Sequence, residues 1–447
     1  MLAVSSNSYM EQKQLLAIAV VAILVVAAVG AYVVVSDDDE DYRSTNTDCR
    51  LKILGNADEN DYIDERDVEK INDMITKDEY SQMADANDDG KVDKKDAELV
   101  QKIIDIRAKN QGKDFDQKDR IDIKFIDVDK QVQNAKYPVG DFIIINSQRA
   151  LEVAIALGIE ERVLGLCLED LKSYWDTNEY AGCDHIVNVG KKNEPDLEAI
   201  AKIDADTIVA GQRSIFLKNV DGDHAGNKQI LRLPTWENAG QESAALTFGF
   251  IMDTEKTAEK YVKWMDDLNA EVQKEVAKLS DDGKTSFLLV ASPTSMSVQK
   301  DGVSSALDKT GSKNIGNVLV TNPGTSYGKT TEHKEDIIKM DPEYVFFSFY
   351  IMSQNTTDDL QKKFDNKKSD WQEIFGATSA YKDKKIVAFD YGLPFCLVTL
   401  IGCHIMYEDM FSEEFVMEKV QEYIDEFTNA PDGFEADYDR IVYHPLK

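Results

Sequence analysis

The chain has 447 residues, a length typical of about three domains, and 43% of its residues are hydrophobic, which is enough for sizeable cores. Its formal net charge of -32 at pH 7 excludes nucleic-acid binding as the main function, because an acidic surface repels phosphates, whereas it suits cation binding. Its five cysteines are odd in number and show no C-x-x-C spacing, which argues against a disulfide framework and leaves only Cys167 with Cys183, or Cys396 with Cys403, as pairs.

The first predicted element is the apolar segment 15–35, LLAIAVVAILVVAAVGAYVVV. About twenty such residues in a helix span the hydrocarbon core of a bilayer. No small-residue cleavage site follows, so we predict an uncleaved single-pass anchor rather than a signal peptide. A cytoplasmic stub (1–14) precedes it, and an acidic linker (36–50) follows it. The bulk of the chain is then extracellular, although Lys13 alone makes the positive-inside signal weak.

Residues 85–96, DANDDGKVDKKD, match a twelve-residue EF-hand-like calcium loop. Oxygen donors recur at alternating positions, as Ca²⁺ requires, and Gly90 stands at the sixth position, where the sharp turn needs a positive φ. The predicted ligands are Asp85, Asn87, Asp89, Lys91 through its backbone carbonyl, Asp93 and Asp96.

A degenerate copy of this loop precedes it at residues 56–67, NADENDYIDERD. Its predicted ligands are Asn56, Asp58, Asn60, Tyr62, Asp64 and Asp67. Asp61 takes the place of the glycine, which predicts a weaker site. Apolar residues at helical spacing follow both loops, so each loop is predicted to lead into a helix.

Two such repeats, each with Asp at the twelfth position and a helix only after the loop, resemble a dockerin domain over residues 51–108. The resemblance implies a small all-α module that folds around two Ca²⁺ ions and binds a cohesin-domain protein. The positions that contact the partner in dockerins correspond to Glu65, Arg66, Lys94 and Lys95. A calcium-stiffened spacer without a protein partner is the alternative, and the sequence leaves both open.

From about residue 113 onward, predicted strands alternate with helices, which is typical of a parallel α/β fold. Apolar residues in segment 253–280 fall at three- and four-residue steps, which predicts one helix of about 38 Å. This helix joins a first lobe (109–252) to a second lobe (281–447). The pattern EAIAKIDADTIV at 198–209 recurs as EDIIKMDPEYVF at 335–346, which indicates lobes of similar build.

This layout is similar to the helical-backbone substrate-binding proteins of ABC importers, the family that captures iron–siderophore, haem and cobalamin complexes. The resemblance covers about residues 117–425. It is carried by INSQRALEVAIALGIEERVLGL, NVGKKNEPDLEAIAKIDADTIVAG, the long helix and WQEIFGATSAYKDKKIVAFDYG. It implies two Rossmann-like α/β lobes, an ABC permease as partner and no cofactor in the lobes. It also implies that Glu198 and Glu335, at the heads of equivalent helices, dock on the permease.

Candidate ligand residues follow the predicted strands, because open α/β folds bind ligands beyond the carboxyl ends of their strands. Aromatic side chains suit a flat macrocycle or catecholate rings, and arginines suit anionic chelate groups. The set is Arg149, Tyr174, Trp175, Arg213, Trp236, Met296, Tyr327, Tyr350 and Tyr391.

These observations predict a membrane-tethered extracellular solute-binding protein that delivers an iron chelate or tetrapyrrole (siderophore, haem or cobalamin) to an ABC importer. The scattered histidines argue against a bare Zn²⁺ or Mn²⁺ site. No G-x-S-x-G, H-E-x-x-H or P-loop motif occurs, so no catalytic residue is predicted. Two alternatives are a cell-surface scaffold assembled through a dockerin–cohesin contact and a chelatase-like enzyme on the same two-lobe fold.

Overall fold

The structure is a computed structural model. It describes residues 49–110, 120–145, 149–167, 182–191, 194–214, 217, 226–235, 240–299, 301–322, 325–349, 357–390, 392–407 and 409–447. Within these ranges no helix has the length and apolarity needed to cross a bilayer. The anchor predicted at 15–35 lies outside the described residues and stays a prediction.

A helix follows each predicted calcium loop: α1 (Glu65–Lys77) and α2 (Lys94–Asn110). At the start of α1, the Asp64 carboxylate accepts the N–H of Arg66, and the Asp67 carboxylate accepts the Asp64 N–H at 2.9 Å. This reciprocal capping satisfies N–H groups that the first helical turn leaves without partners. The predicted order of loop and helix is confirmed, whereas the likeness to a dockerin stays a prediction.

An antiparallel hairpin comes next, formed by β1 (Ile121–Ile126) and β2 (Val132–Tyr137). The sequence predicted the first of these strands as part of a parallel lobe, and this expectation was wrong in its pairing. The hairpin lies against the edge of the first lobe, where the Val128 N–H donates to the Arg232 carbonyl at 3.1 Å.

The strands of the first lobe's sheet are β3 (Phe142–Ile145), β4 (Val163–Leu166), β5 (Val187–Asn188), β8 (Thr207–Ala210) and β9 (Gln229–Arg232). They form a parallel five-stranded sheet in the order β5-β4-β3-β8-β9. A separate pair is formed by β6 (Gly190–Lys191) and β7 (Glu194–Pro195), and the helices described here are α3 (Arg149–Ala156) and α4 (Leu197–Lys202). The central strands are entirely buried, which explains their continuous apolar runs.

Two consecutive helices, α5 (Gln241–Ile251) and α6 (Glu255–Val276), lead from the first lobe to the second. The long helix predicted at 253–280 is therefore confirmed. Its apolar stripe is buried as the spacing predicted, from Ala258 through Met265 to Val272. Helices α5 and α6 pack closely at Gly249, where a Cβ atom would lie 2.3 Å from the Cβ of Ala258.

The strands of the second lobe are β10 (Ser286–Ser292), β11 (Ser295–Ser297), β12 (Lys313–Asn314), β13 (Tyr327–Lys329), β14 (Tyr344–Phe349), β15 (Ile386–Asp390) and β16 (Val442–Tyr443). They form a seven-stranded mixed sheet in the order β13-β11-β10-β14-β15-β16, with β12 also paired to β10. Its centre is parallel, and its edges are antiparallel.

The helices of this lobe are α7 (Gly302–Asp308), α8 (Ile315–Leu319), α9 (Lys334–Met340), α10 (Thr357–Asp365), α11 (Lys368–Phe375), α12 (Ser379–Lys382), α13 (Phe395–Met406) and α14 (Glu413–Phe427). Residues 317–320, NVLV, have the apolar pattern of a short strand, but α8 occupies most of this segment. The Asn314 side chain caps a helix there by accepting the Gly316 N–H at 3.0 Å. All five cysteines are free thiols, so neither possible disulfide forms.

Candidate functional site

Arg149 connects the two lobes where the carboxyl ends of their strands meet. It begins α3, shortly after β3, and its side chain is fully buried. Its Nη1 donates to the carbonyl of Leu393, in the loop between β15 and α13, at 3.0 Å. Its guanidinium carbon lies 4.1 Å from the ring centroid of Phe395. Arg149 therefore occupies the predicted cleft region but already contacts the opposite lobe, and its role as a ligand contact stays a prediction.

Asp301 and Tyr327 belong to the second lobe, and Asp301 lies near enough to Arg149 for their charges to interact. Asp301 caps α7 by accepting the Ser304 N–H at 3.1 Å, and the Tyr327 hydroxyl donates to its other oxygen at 3.4 Å. Burial raises the pKa of the Asp301 carboxyl, while its hydrogen bonds and the charge of Arg149 oppose the rise. The side chain of Tyr327 remains 51% exposed. An aromatic surface with an anchored hydroxyl is therefore available at this position.

Arg213 is held by the tip of the β1–β2 hairpin. Its Nη2 lies 2.5 Å from an Asp127 carboxylate oxygen, and its Nη1 lies 3.0 Å from Asp129. Burial works to lower the pKa of Arg213, but these two carboxylates outweigh it and raise that pKa. The side chain keeps 33% exposure. An anionic ligand would therefore meet an arginine that is oriented and already charge-balanced.

Of the remaining predicted ligand residues, one lies in the core of the second lobe and the others lie outside the described residues. Met296 is fully buried in the core of the second lobe, beside Leu288 and Phe347. The expectation that it faces a ligand is corrected, because alternate residues of β11 point to opposite faces and Met296 lies on the core side. The others, Tyr174, Trp175, Trp236, Tyr350 and Tyr391, lie outside the described residues.

Glu198 and Glu335 occupy equivalent places in the two lobes. Each is exposed in the first turn of a short helix, α4 or α9, that leads into a central strand, β8 or β14. Asp196 caps α4 by accepting the N–H groups of Glu198 and Ala199 at 3.1 and 3.0 Å. The predicted repetition of helix and strand is confirmed, and docking by the two glutamates stays a prediction.

The second predicted calcium loop is organised around two buried carboxylates. Asp85 accepts the N–H groups of Asp89 and Gly90 at 3.0 and 2.8 Å. Asp96 accepts those of Asn87 and Asp93 at 3.1 and 2.8 Å. Gly90 has a φ of +83°, the backbone conformation for which a glycine was expected at the sixth position.

The first loop has a similar frame but a different turn. Asp67 is fully buried and accepts the N–H groups of Asp58 and Asp64, and burial raises its pKa to about 7. The amide oxygen of Asn56, also fully buried, has no hydrogen-bond partner. Asp61 does not adopt a positive φ, and its carboxylate instead pairs with Arg50.

The oxygen donors of both loops include amide and backbone groups as well as carboxylates. In the described part of the chain no group of three or more His, Cys, Asp or Glu side chains is placed to hold a metal ion. The donor set nevertheless has the chemistry that Ca²⁺ prefers, and the amide oxygen of Asn56, which has no hydrogen-bond partner, is an acceptor of the kind that Ca²⁺ takes. Calcium binding by either loop stays a prediction.

Solved structures of several binding proteins share this fold. A TroA-like periplasmic binding protein, FepB from Veillonella parvula, is 14% identical, and the match covers 72% of this chain and 99% of that chain at a TM-score of 0.54. The molybdate periplasmic binding protein MolA from Haemophilus influenzae, bound to molybdate, is 13% identical, with 70% and 99% covered and a TM-score of 0.56. CeuE from Helicobacter pylori, in a Ni–His complex, is 17% identical, with 70% and 97% covered and a TM-score of 0.54. At these identities the likeness establishes the fold alone.

No curated protein sequence matches the chain. The family described as "Periplasmic binding protein" matches residues 143–391, which is more than half of the chain and runs from β3 in the first lobe to the end of β15 in the second. This is a family of binding proteins, which fits the expectation that the chain is not an enzyme. The chain belongs to the periplasmic binding protein family.

Proposed function

We propose that the chain captures a metal chelate or tetrapyrrole outside the cell and delivers it to an ABC permease. The observation that carries this proposal is the family match across both lobes. It is supported by the region beyond the strand ends, where Arg149 contacts the second lobe and its charge acts on Asp301, which in turn accepts a hydrogen bond from Tyr327. The half-exposed ring of Tyr327 offers an apolar face with a polar tip, which suits a broad chelate better than a bare ion. Residues 15–35 are the proposed membrane anchor.

A ligand panel tests the substrate class. Residues 45–447, which form one compact unit, are titrated with haem, cobalamin, a ferric catecholate, a ferric hydroxamate, molybdate and Zn²⁺, and tryptophan fluorescence reports binding. We expect one of the four chelates to bind at micromolar concentration or below. Tyr327→Ala should weaken it about tenfold or more, since a well-packed aromatic contact contributes about 1.4 kcal/mol or more.

Tyr80→Ala is the matched control, because Tyr80 is a similarly exposed tyrosine that belongs to residues 51–108 and not to either lobe. It should leave chelate affinity unchanged. Binding of molybdate or Zn²⁺ with no affinity for any chelate contradicts the proposed substrate class.

We propose that Glu198 and Glu335 contact the permease. Both carboxylates are exposed, and a basic pocket on the permease would complement them. The double variant Glu198→Lys, Glu335→Lys should abolish uptake in cells while leaving ligand affinity unaltered.

The control for docking is Asp267→Lys with Asp281→Lys, which reverses two exposed charges elsewhere on the same body. Uptake that survives the first double variant, or is lost equally in the control, refutes the docking assignment.

We also propose that residues 51–108 bind Ca²⁺ through both loops. The support is the partnerless buried oxygen of Asn56 in the first loop and the buried carboxylates of Asp67, Asp85 and Asp96. A bound cation neutralises these carboxylates and takes the amide oxygen as a ligand.

Calorimetry on residues 45–447 should detect two Ca²⁺ sites. Asp85→Asn should remove the site of the second loop and Asp67→Asn that of the first. The absence of any heat of binding in the wild type refutes calcium binding.

A cohesin-domain protein is a second proposed partner, through the dockerin-like segment. The four side chains at the corresponding positions, Glu65, Arg66, Lys94 and Lys95, are all exposed, as such a contact requires. Titration with a purified cohesin module, with and without Ca²⁺, tests this contact. The double variant Arg66→Glu, Lys95→Glu should weaken the binding. The absence of binding in the presence of Ca²⁺ refutes the proposed partner.

A further inference from the structure

The calcium-loop segment (residues 51–108) is joined to the solute-binding lobes by two ion pairs that share one largely buried arginine. Arg50 pairs with Asp61 of the first loop on one side. On the other side, its Nη1 donates to both carboxylate oxygens of Asp266 at 2.9 Å, and Asp266 lies on the long helix α6. The Arg50 side chain is only 11% exposed. Asp61, which replaces the expected glycine, therefore connects the loop to the helix that joins the two lobes.

A second charged link starts from the end of α2. The Arg107 Nε lies 2.7 Å from a Glu255 carboxylate oxygen in the first turn of α6. The same guanidinium donates to the Ile63 carbonyl inside the first loop and lies 5.7 Å from the ring centroid of Phe250 on α5. One arginine thus contacts the loop and both helices between the lobes.

Backbone hydrogen bonds form a third link. The Leu54 N–H donates to the Lys124 carbonyl and the Ile126 N–H to the Lys52 carbonyl, both at 2.8 Å. Ile53 forms an antiparallel bridge with Phe125. The chain just before the first loop therefore extends the β1–β2 hairpin, which itself packs on β9 of the first lobe and holds Arg213.

We propose that Ca²⁺ bound at these loops stabilises the solute-binding lobes, so that residues 51–108 act as a calcium-dependent brace and not as an independent spacer. Asp61 lies between the predicted ligands Asn60 and Tyr62, and Ile63 lies between Tyr62 and Asp64. The residues that are linked to α6 through Arg50 and Arg107 and the residues predicted to bind the cation thus belong to one short segment. A ligand that binds only the folded loop then stabilises everything that unfolds with it.

This inference rests on the proposed Ca²⁺ binding, and the tryptophans allow the two to be tested separately. All four, Trp175, Trp236, Trp264 and Trp371, lie outside residues 51–108. Trp264 packs on Tyr423 and Trp371 on Phe347, so their fluorescence follows the lobes. In residues 45–447, a free Ca²⁺ concentration about 100-fold above the dissociation constant should raise the midpoint of their thermal transition by about 3 °C per site.

Calorimetry on the same sample distinguishes a failure of the proposed brace from a failure of calcium binding. Ca²⁺ heat with an unmoved tryptophan transition refutes the brace while leaving calcium binding intact. The absence of Ca²⁺ heat refutes both.

Neighbouring residues on α6 provide a matched pair of variants. Asp266→Asn weakens the link to Arg50, whereas Asp267→Asn alters an exposed carboxylate that pairs with Lys263. Asp266→Asn should reduce the Ca²⁺-induced shift with unchanged Ca²⁺ heat, and Asp267→Asn should not. Adding Arg107→Gln with Glu255→Gln, which removes the second link without leaving a lone buried charge, should reduce it further. A full shift in this triple variant refutes the proposed route.

Discussion

The close packing of α5 on α6 at Gly249 predicts a compensating pair of substitutions. In Gly249→Ala, the new Cβ would lie 2.3 Å from the Cβ of Ala258, whereas carbon atoms in contact normally stay about 3.5–4.0 Å apart. The two helices must therefore separate by more than about 1 Å. Overpacking of this kind costs about 1–3 kcal/mol, and the better helix propensity of alanine returns about 1 kcal/mol. The difference between these two terms is a net loss of up to about 2 kcal/mol.

The exchange Gly249→Ala with Ala258→Gly moves the methyl group to the other helix and removes the clash. Ala258→Gly alone should cost about 1–2 kcal/mol, from helix propensity and a lost buried methyl group. In the double variant the propensity terms cancel, so the free energy of unfolding should return to within about 0.5 kcal/mol of the wild type. Urea unfolding of residues 45–447, followed by tryptophan fluorescence, measures the free energy of unfolding of the wild type, the two single variants and the double variant. Additive losses in the double variant refute the packing argument.

Two further predictions concern the second lobe. Burial, with a smaller contribution from Lys447, lowers the pKa of His444 from 6.5 to about 4. Between these two pH values the unfolded state binds a proton that the folded state does not, so the free energy of unfolding falls as the pH drops from about 6.5 toward 4. This loss should reach about 2 kcal/mol between pH 7 and pH 5 and should be absent in His444→Gln. Urea unfolding at both pH values measures it, and equal losses in the wild type and the variant would refute the prediction. Phe347→Ala should cost about 3–5 kcal/mol, because the ring is 2% exposed and its centroid lies 5.3 Å from that of Trp371. The same assay should find Val318→Ala, at a 62% exposed position, within about 0.5 kcal/mol of the wild type, and equal effects of the two substitutions refute the argument.

Features that depend on local spacing were predicted correctly from the sequence. The apolar stripe of α6 repeats at three and four residues, and such a period identifies a helix wherever it folds. The order of loop and helix after residues 56–67 and 85–96, and the repetition of α4–β8 as α9–β14, follow from similarly local patterns. Gly90 was expected to have a positive φ because the requirement belongs to that one residue.

Features that depend on partners far along the chain were decided only by the tertiary structure. The β1 strand resembled the first strand of a parallel lobe, but strand pairing is not encoded in a six-residue pattern, and it formed a hairpin instead. Met296 alternates onto the core face of β11, which its neighbours in sequence could not indicate. The residue that replaced a glycine, Asp61, was expected only to weaken a loop. Through Arg50 it is connected to Asp266, some two hundred residues away, because burying one charge requires another beside it and only the folded chain brings them together.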